Sequence, residues 1–262
     1  MTKSILITGA TDGIGLLTAR KLIALGHTVL LHGRSPEKLE RVQTELGADY
    51  AYLADLSDLS AVGEMAGAIT ADHEQIDVLV NNAGILKTSQ SITKDGLDIR
   101  FVVNMLAPLY LAEQLMPLIL TNGRILNLSS AAQNPVDLAA LKGDVQLGQD
   151  MKAYAQSKLA ITMWSRILGK QLENGPLVYS VNPGSLLGTN MVKGGFGIAG
   201  NDVNIGADIL VSLSLDDHDA PSGSYYDNDA GQFGAPHPDA LDDVKSVEVV
   251  AAVKEIVSRI TS

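Results

Sequence analysis

The stretch Ser4-Ile5-Leu6-Ile7-Thr8-Gly9-Ala10-Thr11-Asp12-Gly13-Ile14-Gly15 decides how this chain of 262 residues is read. Ser4 to Thr8 is apolar and β-branched enough for a buried strand, and Ile14 to Leu25 has the pattern of a helix stopped by Gly26. Gly9, Gly13 and Gly15 occupy the turn between them. Glycines there allow a tight turn and let the backbone approach a pyrophosphate at the helix N-terminus. The spacing is Gly-x3-Gly-x-Gly rather than Gly-x-Gly-x-x-Gly. The weight of the motif therefore comes from its strand-to-helix context.

Outward from this turn the alternation continues. Strands are expected at Thr28–His32, Tyr50–Ala54, Asp77–Asn81, Arg124–Ser129 and Leu177–Asn182. Helices are expected at Pro36–Leu46, Leu59–Thr70 and Lys152–Leu172, with a long one from about Asp95 to Leu120 that Pro108 and Pro117 kink or shorten. Alternating strands and helices, with strands apolar on both faces, predict a single α/β domain: a parallel sheet covered by helices on both sides. Leu186 to Asn204 is glycine-rich and reads as a mobile loop. Asp216 to Asp243 holds eight Asp and no Lys or Arg, and reads as a solvated surface excursion rather than a metal site. Ser224-Tyr225-Tyr226 within it is the expected last edge strand, and Val247 to Ile260 the closing helix.

Composition narrows the function. Lys plus Arg number 19 against 30 Asp plus Glu, a formal charge of −11, which argues against nucleic-acid or anionic-membrane partners. Without cysteine there is no disulfide, thiolate metal site or cysteine nucleophile. The five histidines are scattered, so no metal is implied. No apolar run approaches the roughly 18 residues of a membrane helix, and the first residues lack signal-peptide features. A cytoplasmic location is the expectation.

The chemistry is carried by Tyr154-Ala155-Gln156-Ser157-Lys158. Tyr154 and Lys158 are four residues apart and share one helix face. An ammonium beside a phenol favours the phenolate, which predicts a lowered Tyr154 pKa and a proton donor and acceptor usable near neutral pH.

With these motifs in order, the sequence resembles the short-chain dehydrogenase/reductase family. The resemblance rests on Thr8-Gly-Ala-Thr-Asp-Gly-Ile-Gly15, Asn81-Asn-Ala-Gly84, Ser129-Ser130 followed by Tyr154-x3-Lys158, and Asn182-Pro-Gly184, and runs from about residue 3 to 190. It implies a doubly wound (Rossmann) α/β fold that transfers a hydride between a nicotinamide cofactor and a carbonyl or alcohol. Tyr154 would be the general acid/base. Lys158 would hold the ribose hydroxyls and lower the Tyr154 pKa. Ser130 would bond the substrate oxygen, with Ser129 the alternative. Asn104 would support Lys158 through a water. The cofactor would be held by Gly9, Thr11, Asp12, Gly13, Ile14 and Gly15 at the first turn, by Arg34, and by Asp55 and Leu56 at the adenine. Asn82, Ala83 and Gly84, then Tyr154 and Lys158, then Pro183, Gly184, Leu187 and Thr189, would complete that site.

The second strand ends in His32-Gly33-Arg34-Ser35, with no carboxylate for a ribose 2′-hydroxyl. A guanidinium there suits a 2′-phosphate, so NADP(H) is expected over NAD(H), although Asp12 stands where many NADP-preferring relatives carry a basic residue. Ser130 and Tyr154 are 24 residues apart. The long segment between them resembles the retinol-dehydrogenase-like and protochlorophyllide-reductase-like branch and hints at a larger, apolar carbonyl substrate. The alternatives are reduction of a carbon–carbon double bond, which would yield a saturated product, and a nucleotide-binding regulator with little turnover. A homo-oligomer is compatible with the resemblance, unless the insertion covers the usual helix interface.

Overall fold

Along the first strand, Ile5 and Ile7 pack into one core and Leu6 into another. A computed structural model describes residues 2–262 of the chain. Its strands are β1 (Ser4–Ile7), β2 (Thr28–Gly33), β3 (Tyr50–Leu53), β4 (Ile76–Asn81), β5 (Ile119–Leu128), β6 (Leu177–Asn182), β7 (Tyr225–Asp227) and β8 (Gln232–Gly234). They form one sheet in the order β3-β2-β1-β4-β5-β6-β7-β8. All pairs are parallel except the last, β7 with β8. Ile5 lies between Val29 of β2 and Val78 of β4. The strand order reverses there, so the crevice at the carboxyl ends of β1 and β4 is the expected ligand position of a doubly wound sheet.

Helices α1 (Gly13–Ala24), α2 (Pro36–Leu46) and α9 (Asn204–Leu215) cover one face. The other carries α3 (Leu59–Asp72), α4 (Ile99–Phe101), α5 (Ala107–Leu115), α6 (Leu138–Lys142), α7 (Asp150–Gln171), α10 (Pro238–Leu241) and α11 (Asp243–Thr261). A short α8 (Asn190–Phe196) lies outside both layers. Local chemistry sets the ends. Ser35 caps α2 through the Lys38 N–H, Pro36 opens it, and Gly47 closes it at φ 64°. Helix α7 is buried on most sides because the sheet lies beneath it and α11 above, with Trp164 in the seam. The α7 face pointing away from the sheet is therefore covered by the chain's own C-terminal helix.

Several expectations are corrected. The helix expected from Asp95 to Leu120 is three pieces: α4, a π-type turn at Val102–Leu106, and α5. Pro117 falls between α5 and β5, and the strand expected at Arg124 already begins at Ile119. The loop expected at Leu186–Asn204 contains α8 and is pinned at its base, where Gly188 N–H donates to Asn201 O at 2.7 Å and Asn201 N–H to Leu186 O at 2.7 Å. Helix α9 was not anticipated. Tyr225–Asp227 is not the sheet edge, because Gln232–Gly234 turns back and adds an antiparallel strand outside it.

Candidate active site

A cleft of about 950 Å³ opens at the carboxyl ends of the parallel strands. Its floor begins at the first glycine turn. Gly9 has φ 66° and Gly13 has φ 55°, conformations that a side chain disfavours. Asn82 Nδ2 donates to Thr8 O at 2.8 Å and Gly9 O at 3.1 Å, and Ala83 N–H donates to Thr8 Oγ1 at 3.1 Å. These bonds lock the turn to the end of β4. Thr11, Gly13 and Ile14 line the cleft. Asp12 lines it too, caps α1 through the Gly13 N–H at 2.7 Å, and accepts a bond from Asn190 of α8. Gly15, expected to touch cofactor, is buried in packing instead: a Cβ there would lie 2.4 Å from Asn82 Nδ2 and 2.4 Å from Gly9 O.

At one end of the cleft stand Arg34 and Lys38, both exposed, with no ion pair among the described residues. Lys38 was missed in the sequence, although a second cation one helical turn after Arg34 was a readable sign. Asp55 and Leu56 form the neighbouring wall, with Asp55 Oδ1 held by Ser57 N–H at 2.9 Å and Ser57 Oγ at 2.8 Å. Asp58, not Asp55, caps the following helix. His32, also missed, lines the same end from inside β2.

Ser130, Tyr154 and Lys158 meet at the other end. Ser130 Oγ accepts the Ala132 N–H at 3.1 Å, leaving its proton free to donate, and its hydroxyl lies near enough to the Tyr154 phenol to favour the ionised form. The Ser130 carbonyl is held by Gln133 Nε2 at 2.9 Å and the Tyr225 hydroxyl at 3.3 Å. Ser129 is turned inward, its Oγ on Lys158 O at 3.0 Å and Thr162 Oγ1 at 2.7 Å. Lys158 Nζ donates to Leu128 O at 2.7 Å and lies 5.6 Å from the centroid of the Tyr154 ring. Burial pushes the lysine down to about 7. The lowered phenol expected at Tyr154 is corrected: burial pushes it above its ordinary value, and the Ser130 hydroxyl offsets only part of that.

Asn104 does not reach the cleft surface. It lies in the π-type turn, where the Ala107 N–H bonds Val102 O, five residues back. Its Oδ1 accepts the Ile85 N–H at 2.9 Å, and its Nδ2 donates to Ile85 O at 3.0 Å and Ser157 Oγ at 2.9 Å. Ser157 Oγ in turn donates to Tyr154 O at 2.7 Å. Asn104 thus clamps the loop after β4 to the turn of α7 that carries Tyr154. Gly84 keeps this region open: a Cβ there would lie 3.3 Å from Asn104 Oδ1 and 3.4 Å from Lys158 Nζ. Pro183, Gly184, Leu187 and Thr189 line the cleft from the segment after β6, and Thr189 caps α8. The outer walls are apolar, from Ile85, Leu86, Met151, Met191 and Phe196.

The short chain dehydrogenase family model matches residues 3–196, which include the glycine turn, the serine pair and Tyr154-x3-Lys158. The chain belongs to this family. Its doubly wound sheet is the nucleotide-binding Rossmann fold of that family. Human retinol dehydrogenase 13 is 32% identical over 193 residues, covering 70% of this chain and 58% of the human protein. A structure of an uncharacterized protein from Mycobacterium paratuberculosis is similar over 98% of this chain and 93% of that one, with a TM-score of 0.82 and 25% identity. A short chain dehydrogenase from Shigella flexneri, complexed with NADP, is similar over 87% of this chain and 97% of its own, with a TM-score of 0.68 and 26% identity. The site has the features a nicotinamide dinucleotide requires. Its glycine turn opens at a helix N-terminus, cations stand at one end, and Gly84 leaves open a space that a side chain would fill. No helix among the described residues is long and apolar enough to cross a membrane, and no cluster of metal-ligating side chains occurs among them.

Proposed function

We propose that the protein interconverts a carbonyl and its alcohol with NADP(H), with Tyr154 as the general acid/base. The observation that carries this reading is the convergence of the Ser130 hydroxyl, the Tyr154 phenol and Lys158 in a cleft whose far end bears Arg34 and Lys38. A bound nicotinamide dinucleotide supplies or accepts the hydride. The turn from Gly9 to Ile14 would hold the pyrophosphate. Asp55 and Leu56 would flank the adenine. Asn82 to Gly84, with Pro183, Gly184, Leu187 and Thr189, would border the nicotinamide half. Arg34 and Lys38 suit a 2′-phosphate, since a guanidinium and an ammonium without carboxylate partners attract a dianion. The NADP in the similar Shigella flexneri structure supports the same preference.

In the reducing direction, Ser130 donates a hydrogen bond to the carbonyl oxygen and Tyr154 gives it a proton. Burial keeps the phenol protonated at neutral pH, the form a proton donor needs. Lys158, protonated in the loaded site, would stabilise the tyrosinate left behind and bond the ribose hydroxyls. Asn104, through Ser157, fixes the turn on which Tyr154 is mounted. Ile85, Leu86, Met151, Met191 and Phe196 suit an apolar carbonyl substrate, and the two methionines let the walls adapt to its shape. The likeness to retinol dehydrogenase 13 supports that class.

The test is oxidation of NADPH and NADH over a panel of apolar aldehydes, ketones and enones, with product identification. Alcohol formed with NADPH preferred is the expected result. Saturation of the enone bond, or dinucleotide binding without turnover on any member of the panel, would overturn the reading.

A further inference from the structure

A polar side chain at the buried end of an apolar strand calls for a partner, and His32 has two. It is 2% exposed and sits at the carboxyl end of β2, beside the strand that leads into the glycine turn. Its Nδ1 accepts the Gly9 N–H at 3.0 Å, and its Nε2 lies 3.1 Å from Ala54 O. A backbone N–H can only donate and a carbonyl can only accept, so both bonds require the neutral imidazole with its proton on Nε2. The main chain reinforces the link: Ala10 N–H donates to His32 O at 2.8 Å, and Ala54 N–H to Gly33 O at 3.2 Å.

These bonds join two segments that do not otherwise belong together. Gly9 begins the turn proposed to hold the pyrophosphate. Ala54 immediately precedes Asp55 and Leu56, proposed to flank the adenine. Gly9 is gripped on both sides of its Cα, its N–H by His32 and its carbonyl by Asn82 at 3.1 Å. At φ 66° Gly9 holds one of the many conformations open to a free glycine, and the two bonds select it. Thr11 is seated against the same strand, where a Cβ on Gly33 would lie 2.5 Å from its Cγ2.

We propose that His32 is a positioning residue for the dinucleotide: its imidazole fixes the distance between the pyrophosphate turn and the adenine wall before the cofactor arrives. A preformed turn spares the ordering cost that binding would otherwise carry. The inference rests on the dinucleotide reading above and adds to it a residue that would touch neither the substrate nor the reacting atoms. Burial pushes the imidazole down to about 4, with Asp55 the charged group that opposes this, so both bonds persist at physiological pH.

The test compares the purified wild-type protein with His32→Phe and His32→Asn. It measures dissociation constants for NADPH and NADH, melting temperature, and kcat at saturating cofactor. His32→Phe keeps an aromatic ring, somewhat larger than the imidazole, and removes both bonds. It should weaken both dinucleotides alike, by about 5- to 100-fold, the range to which one lost buried partner corresponds, with kcat at saturation and substrate KM unchanged. His32→Asn offers an acceptor to Gly9 but cannot reach Ala54, so its loss should lie between wild type and His32→Phe. A folded His32→Phe that binds both dinucleotides as wild type does overturns the proposal, as does one that loses kcat while cofactor affinity stays put. If His32→Phe does not fold, the 15N resonances of wild-type His32 decide. A neutral Nε2–H tautomer with both ring nitrogens hydrogen-bonded in the protein before NADPH is added supports the role; an Nδ1–H tautomer or an imidazolium there overturns it. A wild-type protein that binds neither dinucleotide sinks the functional reading itself, a different result from any of these.

Discussion

Lys158 gives the sharpest quantitative test of the cofactor-free site. Its ammonium is buried with one carbonyl partner, Leu128 O at 2.7 Å, and its pKa falls from 10.5 to about 7. The unfolded chain therefore binds a proton at this lysine that the folded chain does not, over the interval between those two values. Stability contributed through this group rises with pH across that window, and the penalty is fully present below it. The slope is at most about 1.4 kcal/mol per pH unit. Lys158→Met removes the titration while keeping most of the apolar stem. The variant should be the more stable protein near pH 7, and wild type should close the gap as pH rises. With about 2–4 °C of Tm per kcal/mol for a chain of this size, the gap should shrink by roughly 3–5 °C per pH unit from about pH 7.5 to about pH 10. Calorimetric melting of both proteins without cofactor, from pH 6 to pH 10, reads this directly. Parallel Tm curves across the window, or a gap that widens with pH, would refute the burial argument.

Two further outcomes follow from the same geometry. Arg34→Ala should raise the KM for NADPH by about tenfold or more while leaving that for NADH nearly unchanged, and Lys38→Ala should do the same to a smaller degree, because a 2′-phosphate would be their shared ligand; steady-state kinetics with both cofactors reads the ratio. Asn104→Leu leaves the Ile85 N–H and carbonyl without their side-chain partners, so it should cost about 2–5 kcal/mol in urea unfolding; it should also lower kcat, because the turn carrying Tyr154 loses its clamp.

The parts of this molecule legible from sequence are those whose cause is local. The run from Ser4 to Gly15 announces strand, turn and helix by residue type alone, and Pro36 and Gly47 mark both ends of α2. Tyr154 and Lys158 share a helix face by spacing. What escaped depends on tertiary contacts. The π-type turn at Val102–Leu106 inserts a residue into a helix whose apolar pattern continues through it, and only Asn104 hints at a break. Ile119 and Leu120 extend the same apolar pattern, so the start of β5 was hidden by the helix before it. Helix α8 contains Gly194 and Gly195, which read as loop; a Cβ on Gly195 would lie 2.8 Å from Leu86 Cδ2, so close approach to the cleft wall accounts for that glycine. The direction of the Tyr154 shift also escaped. Spacing shows a lysine nearby but not that Lys158 is buried and Tyr154 largely withdrawn from water, and that desolvation acts on the phenol more strongly than the Ser130 hydroxyl does. His32 was overlooked because its partners lie on two other segments, 23 and 22 residues away in sequence.

The central claim is that the Tyr154 hydroxyl carries the proton. Tyr154→Phe removes that oxygen and little else, so the measurement is kcat/KM for NADPH-dependent reduction of the best carbonyl substrate, beside the NADPH dissociation constant. The account predicts a loss of at least about 10²-fold in kcat/KM, the scale of general acid catalysis, with NADPH binding within a few-fold of wild type. A variant that reduces the same carbonyl at the wild-type rate would contradict it.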